Sequence, residues 1–216
     1  MKVLLVDDHA VVRQGYASLL RALLPDVQLR EACDGEQALQ RVQEEIPNLV
    51  VMDIGLPGIS GLETTRRLRQ RLPQLRILFF SMHDELPLVR QALDVGAIGY
   101  LTKNSSPEVL VEAVKRTAAG HAYIEQQLAT QLACNPTSSD GLDPRLRELT
   151  QREFEIFVML ARGLPPRQIA EKLCISAKTL SNYQTLVKNK LQIASQAELV
   201  HLAIDSGVVR VGLESA

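Results

Sequence analysis

Two adjacent carboxylates, Asp7 and Asp8, end the apolar run 3–6 of the stretch KVLLVDDHAVVRQG. Like charges this close repel, and either solvation of a turn or a cation held between the acids must offset the repulsion. Asp53 ends a second apolar run, NLVVM, Ser81 ends ILFF, and Lys103 follows GYL. Three carboxylates suit a hard divalent cation with oxygen ligands, and Mg2+ keeps several waters while bridging to a substrate phosphate. A carboxylate can also act as a nucleophile and form an acyl phosphate, provided that the metal and a nearby cation neutralise the phosphoryl oxygens. Lys103 suits the second cation, and Ser81 a hydrogen-bond donor to the phosphoryl group. Taken singly, each Asp reads as a turn residue, Ser81 as a helix cap and Lys103 as a solvated charge.

Bringing them together is the task of the surrounding elements. The first 120 residues alternate apolar runs at 3–6, 27–32, 49–52, 77–80 and 98–101 with amphipathic segments of helical period, such as Val12, Tyr16, Leu19, Leu20 and Leu23. Five βα units predict an α/β fold, a doubly wound five-stranded parallel sheet with helices on both faces. In the order 2-1-3-4-5 the ends of runs one, three, four and five converge on one cleft, at the point where strand order reverses.

The stretch CNPTSSDGLDPRL over 134–146 has the composition of a linker. Beyond it the pattern is helical only, over roughly 150–162, 166–173, 177–191 and 195–206. Thr150 and Glu153 fit a capping box, and Gly163 stands where a helix ends.

An apolar share of 46% with 23% charged residues is that of ordinary globular protein. No apolar segment approaches the roughly 20 residues that cross a bilayer, which predicts a cytoplasmic protein with no membrane partner. Cys33, Cys134 and Cys174 lack C-x-x-C spacing and read as packing residues. The four histidines, His9, His83, His121 and His201, show no metal-ligand spacing either. Charge is uneven: 14 Lys+Arg against 18 Asp+Glu through Pro144 (−4), then 10 against 7 from Arg145 (+3). A basic second part hints at a polyanion partner.

With these residues in view, 1–120 resembles the receiver domain of two-component response regulators. VDDH matches the metal-binding acids, MDIGLPGISGLE surrounds the phosphoacceptor, SMHDE carries the switch hydroxyl, and GYLTK the switch aromatic and lysine. The resemblance implies phosphorylation of Asp53, and Mg2+ held by Asp7, Asp8, Asp53 and the backbone carbonyl of Gly55. It also implies Ser81, Tyr100 and Lys103 as the phosphoryl-binding switch. Met82 stands where many receivers carry a smaller residue. Haloacid dehalogenase-like phosphatases also use an aspartyl phosphate, but they resemble D-x-D, and the second acid is here Gly55.

On a helical wheel over 177–191, Leu180, Tyr183, Val187 and Leu191 share one side. Lys178, Ser181, Asn182, Thr185, Lys188 and Asn189 share the other, polar and free of acids. The wider run 149–191, with LT-x-RE, IA-x-x-L-x-IS-x-KT and a closing KL, resembles the LuxR-type helix-turn-helix. That resemblance continues through AELVHLAIDSGVV. Tyr183 stands where the family often has His, and Leu180 where Val is usual. The resemblance places Ser181, Asn182 and Thr185 at base edges; Lys178 and Lys188 are expected at phosphates.

The expected organisation is a receiver over 1–120, a linker with a short helix over 121–146, and a LuxR-type DNA-binding domain over 147–216. Nearly the whole chain resembles a NarL/FixJ-type response regulator, not an enzyme. The implied partners are a sensor histidine kinase, promoter DNA bound as a homodimer, and RNA polymerase. The alternative is a phosphorylation-independent regulator whose receiver is only structural.

Overall fold

The structure, a computed structural model, describes residues 1–134, 143–173 and 175–209. It divides into two compact units, Met1–Cys134 and Asn135–Ala216. The tether residues 135–142 and Cys174 lie outside the described residues.

In the first unit β1 (Lys2–Val6), β2 (Gln28–Ala32), β3 (Leu49–Met52), β4 (Ile77–Ser81), β5 (Gly99–Thr102) and β6 (Tyr123–Ile124) form one parallel sheet in the order 2-1-3-4-5-6. Helices α1 (Ala10–Leu23), α2 (Gly35–Glu44), α3 (Gly61–Arg71), α4 (Leu86–Asp94), α5 (Pro107–Ala118) and α6 (Gln126–Cys134) cover it. Side chains alternate across each strand with period two. Val3, Leu5, Val51, Leu78 and Leu101 pack with Leu20 of α1 and Leu110 and Val114 of α5. Leu4, Val6, Met52, Phe79 and Tyr100 pack on the opposite face with Val42 of α2, Leu68 of α3, Val89 of α4 and Leu128 of α6. Burial on both faces is why the strands read as continuous apolar runs.

The five-stranded expectation is corrected to six. After α5, Gly120 takes φ +93 and turns the chain so that Tyr123 N donates to Ile98 O and Glu125 N to Tyr100 O. Two residues are too few to display an alternating pattern. Of the linker with a short helix expected over 121–146, residues 123–124 form β6 and 126–134 form α6, and both group with the first unit. The packing role expected of the cysteines also fails at Cys134, which is exposed; Cys33 is half-buried, its thiol 3.3 Å from Asp34 Oδ2.

The loop after β3 is shaped by close approach. Gly58 has φ +71, and at Gly61, the first residue of α3, a Cβ would stand 2.0 Å from Asp53 O and 2.9 Å from Asp53 C. Only glycine lets α3 start this near the strand end. Gly61→Ala must therefore push Asp53 or α3 aside, and is expected to cost about 1–3 kcal/mol, the usual range for overpacking. A lower urea midpoint at unchanged slope is the expected reading; an unshifted midpoint would mean the loop relaxes freely.

In the second unit a 3-10 turn (Pro144–Glu148) precedes α7 (Gln151–Ala161), α8 (Pro166–Lys172), α9 (Ala177–Leu191) and α10 (Gln196–Asp205). The Thr150–Glu153 capping box forms, and Gly163, at φ +77, follows the end of α7. Helix α9 is capped by Ser176, whose side chain accepts from Thr179 N, and packs against α7 and α8. No helix among the described residues is long and apolar enough to cross a membrane.

Candidate functional site

The carboxyl ends of β1, β3, β4 and β5 bring the expected side chains to one cleft. Asp7 and Asp53 are buried, with side-chain exposures of 3% and 8%. Lys103 Nζ lies 2.6 Å from Asp7 Oδ2 and 2.6 Å from Asp53 Oδ2. Burial of the ammonium opposes its charge, yet the charge of Asp53 and the hydrogen bonds to both acids hold the Lys103 pKa above the ordinary lysine value. Asp7 Oδ1 accepts from His9 N at 2.8 Å, and Asp53 Oδ1 from Gly55 N at 3.3 Å. Gly55 therefore adjoins the Asp53 carboxylate through its backbone.

Asp8 completes the acidic group. Its Oδ1 is buried without a hydrogen-bond partner; His9 Nδ1 approaches to 2.7 Å but not in hydrogen-bond geometry. An oxygen lone pair in that state fits a cation. Ligand atoms from Asp7, Asp8, His9 and Asp53 all lie within 4.8 Å of one another. Three oxygen donors suit Mg2+. The spacing argument missed His9, which joins the group only because the turn after β1 folds it beside the acids.

Ser81 is fully buried at the end of β4, and His83 N donates to its hydroxyl at 3.4 Å. Lys103 N donates to Ser81 O at 2.8 Å, tying the ends of β4 and β5 together. Tyr100 is turned into the core, and its hydroxyl donates to His83 O at 2.7 Å. Burial first, then the nearby Glu85 charge, pushes its pKa well above the usual tyrosine value. Met82 is 62% exposed. Arg13, Tyr16 and Glu125 were not foreseen. Arg13 donates to Asp7 O at 2.6 Å, and the Tyr16 hydroxyl to Lys103 O at 3.3 Å. Glu125 Oε2 accepts from Thr102 N at 3.0 Å and Thr102 Oγ1 at 2.7 Å, clamping the residue before Lys103. Only tertiary structure makes these contacts.

On α9 the wheel is realised. Leu180, Val187 and Leu191 are buried and Tyr183 is half-buried, while Lys178, Ser181, Asn182 and Thr185 are exposed and Lys188 is half-exposed. Helix α9 holds no acid, so the exposed face presents amide, hydroxyl and ammonium groups.

Two family profiles divide the chain where its structure does. The response regulator receiver domain matches residues 3–115, and the luxR family of bacterial regulatory proteins matches residues 147–203. The chain belongs to the NarL/FixJ (LuxR) family of response regulators. The transcriptional activator protein ExaE of Pseudomonas putida is 64% identical over 212 residues, spanning 98% of this regulator and 99% of that protein. The response regulator GacA of Pseudomonas aeruginosa is 36% identical over 97% of this regulator and 98% of its own length. Among solved structures, a LuxR-family two-component response regulator from Aurantimonas superposes with a TM-score of 0.60 at 38% identity. It covers 63% of this regulator and 98% of that chain. The regulator thus joins a receiver to a LuxR-type DNA-binding domain.

Proposed function

We propose that this regulator is switched by phosphorylation of Asp53, with a sensor histidine kinase as donor, and controls transcription from promoter DNA in the cytoplasm. The observation that carries the reading is Lys103 Nζ at 2.6 Å from both Asp7 and Asp53. A single ammonium fixed between buried acids can neutralise phosphoryl oxygens at the place where they would arrive. One Asp53 oxygen forms the new P–O bond as the P–N bond of a phosphohistidine breaks, and the imidazole, protonated on its other nitrogen, leaves neutral. Asp7, Asp8, Asp53 and the carbonyl of Gly55 are the residues that would hold Mg2+. When bound, the ion supplies charge stabilisation to the phosphoryl group. Ser81 donates to the product phosphoryl group, and Tyr100 follows the position of Ser81.

On the DNA side, Ser181, Asn182 and Thr185 are assigned to base edges and Lys178 and Lys188 to phosphates. Asn182 suits adenine, through its paired donor and acceptor. Two copies on a pseudo-palindromic site are the expected geometry, and contact with RNA polymerase follows if the regulator, like the relative named a transcriptional activator, activates.

Phosphate labelling tests the reading. Wild-type protein should take up phosphate from a small acyl phosphate donor only with Mg2+ present, and Asp53→Asn should take none. Stoichiometric labelling of Asp53→Asn would place the phosphoacceptor elsewhere. Absence of label on wild type would favour a receiver that works without phosphorylation.

A further inference from the structure

The large apolar side chains on the surface include Leu186, 47% exposed, the only one of them in the second unit among the described residues. It lies neither on the buried face of α9 nor apart from the polar one. Leu186 follows Asn182 by one helical turn and adjoins Thr185, so the three share about 100° of the helix circumference. Thr185 Oγ1 donates to Ser181 O at 3.0 Å. Its single proton is therefore used within the helix, and Thr185 turns outward as a methyl group and an acceptor. Asn182 is thus bordered on its C-terminal side by two apolar groups, on an acid-free face that carries Lys178 one turn before Asn182 and Lys188 beyond Thr185.

An apolar group inside a cationic, hydrogen-bonding face matches one feature of the DNA major groove, the C5-methyl of thymine. We propose that Leu186 is a specificity-determining residue that packs on a thymine methyl beside the base read by Asn182. The inference rests on the assignment of α9 to the major groove. It adds an apolar reader that the polar residues do not supply.

The test separates methyl recognition from hydrogen bonding, because replacing dT by dU removes the methyl and nothing else. Full-length wild-type protein, phosphorylated with a small acyl phosphate and Mg2+, selects its best site from a random duplex pool. Each dT of that site is then changed singly to dU, and affinities are compared for wild type, Leu186→Ala, Leu186→Gln and Asn182→Ala, all checked for an unchanged melting profile. At one or two positions per half-site, dU should weaken wild type roughly fourfold, the equivalent of about 0.8 kcal/mol for one buried CH2-sized group. Both Leu186 variants should be indifferent to dU there, while Asn182→Ala should keep the dU sensitivity. A wild-type dU profile in Leu186→Ala or Leu186→Gln would overturn the proposal. Failure of the full-length protein to select any sequence would overturn the assignment of α9 to the groove, and the proposal with it. If Asn182→Ala leaves base preference intact while the Leu186 variants lose dU sensitivity, the role of Asn182 fails and that of Leu186 stands.

Discussion

In Lys103→Met the first unit is expected to lose about 3–5 kcal/mol of stability in the absence of divalent cations, the cost of stranding buried charges without their partner. Asp7 and Asp53 are both more than nine-tenths buried, and Lys103 is the ammonium that each contacts at 2.6 Å. Methionine fills similar volume but leaves the carboxylates facing each other and Asp8. Mg2+ should then stabilise the variant far more than the wild type, because in the variant it meets acids with no competing ammonium. Saturation to a hundred times the dissociation constant contributes about 2.7 kcal/mol. Urea midpoints in chelator and in millimolar Mg2+ measure both effects. A variant as stable as wild type in chelator, or one indifferent to Mg2+, would show that Lys103 is not what balances the buried acids.

Ser81→Ala should separate phosphorylation from activation. Moving a two-state receiver from 1:99 to 99:1 takes about 5.5 kcal/mol. Hydrogen bonds to a charged group contribute about 1.5–3 kcal/mol each, so Ser81 and Lys103 together supply roughly 3–6 kcal/mol and neither alone suffices. With the Ser81 contact gone, the active fraction should stop at roughly 10–60% even at full phosphorylation. Labelling should stay near stoichiometric, because the main-chain bond from Lys103 N to Ser81 O keeps the strand ends in place without the hydroxyl. Operator affinity of the fully labelled variant is the quantity to follow. Wild-type activation would remove Ser81 from the switch, and loss of labelling would make it part of the transfer step.

Most of the cleft is legible in the sequence because parallel strands buried on both faces leave plain apolar runs, and the side chain after each run must emerge at the same edge of the sheet. Asp7, Asp53, Ser81 and Lys103 are read in this way. The supporting contacts are not, since Tyr16 of α1 and Glu125 after β6 reach the end of β5 from distant parts of the chain, and Arg13 meets Asp7 only because the start of α1 folds back over the end of β1. His9 escapes because its ring meets Asp7 and Asp8 only through the fold of the turn after β1, which no ligand spacing announces. On α9 the period sorts buried from exposed positions, but an apolar residue type at Leu186 suggests burial where the structure gives a surface. Strand β6 has no periodicity to show, and its segment resembles a linker only because it is short and lies next to one.

That added strand changes where the chain could be cut. β5 carries Tyr100 and would form the open border of the sheet, a row of unpaired amides and carbonyls able to recruit another chain. β6 closes this border with two residues, and α6 lays Leu128 over the same cluster as Tyr100. The opposite border, β2, is guarded by charge, with Arg30 paired to Glu44 and Glu31 to Arg13 and Arg21. A fragment ending at residue 120 would keep every residue of the acidic cleft and still be prone to self-association, sticking along β5. The natural end of an isolated first unit is Cys134.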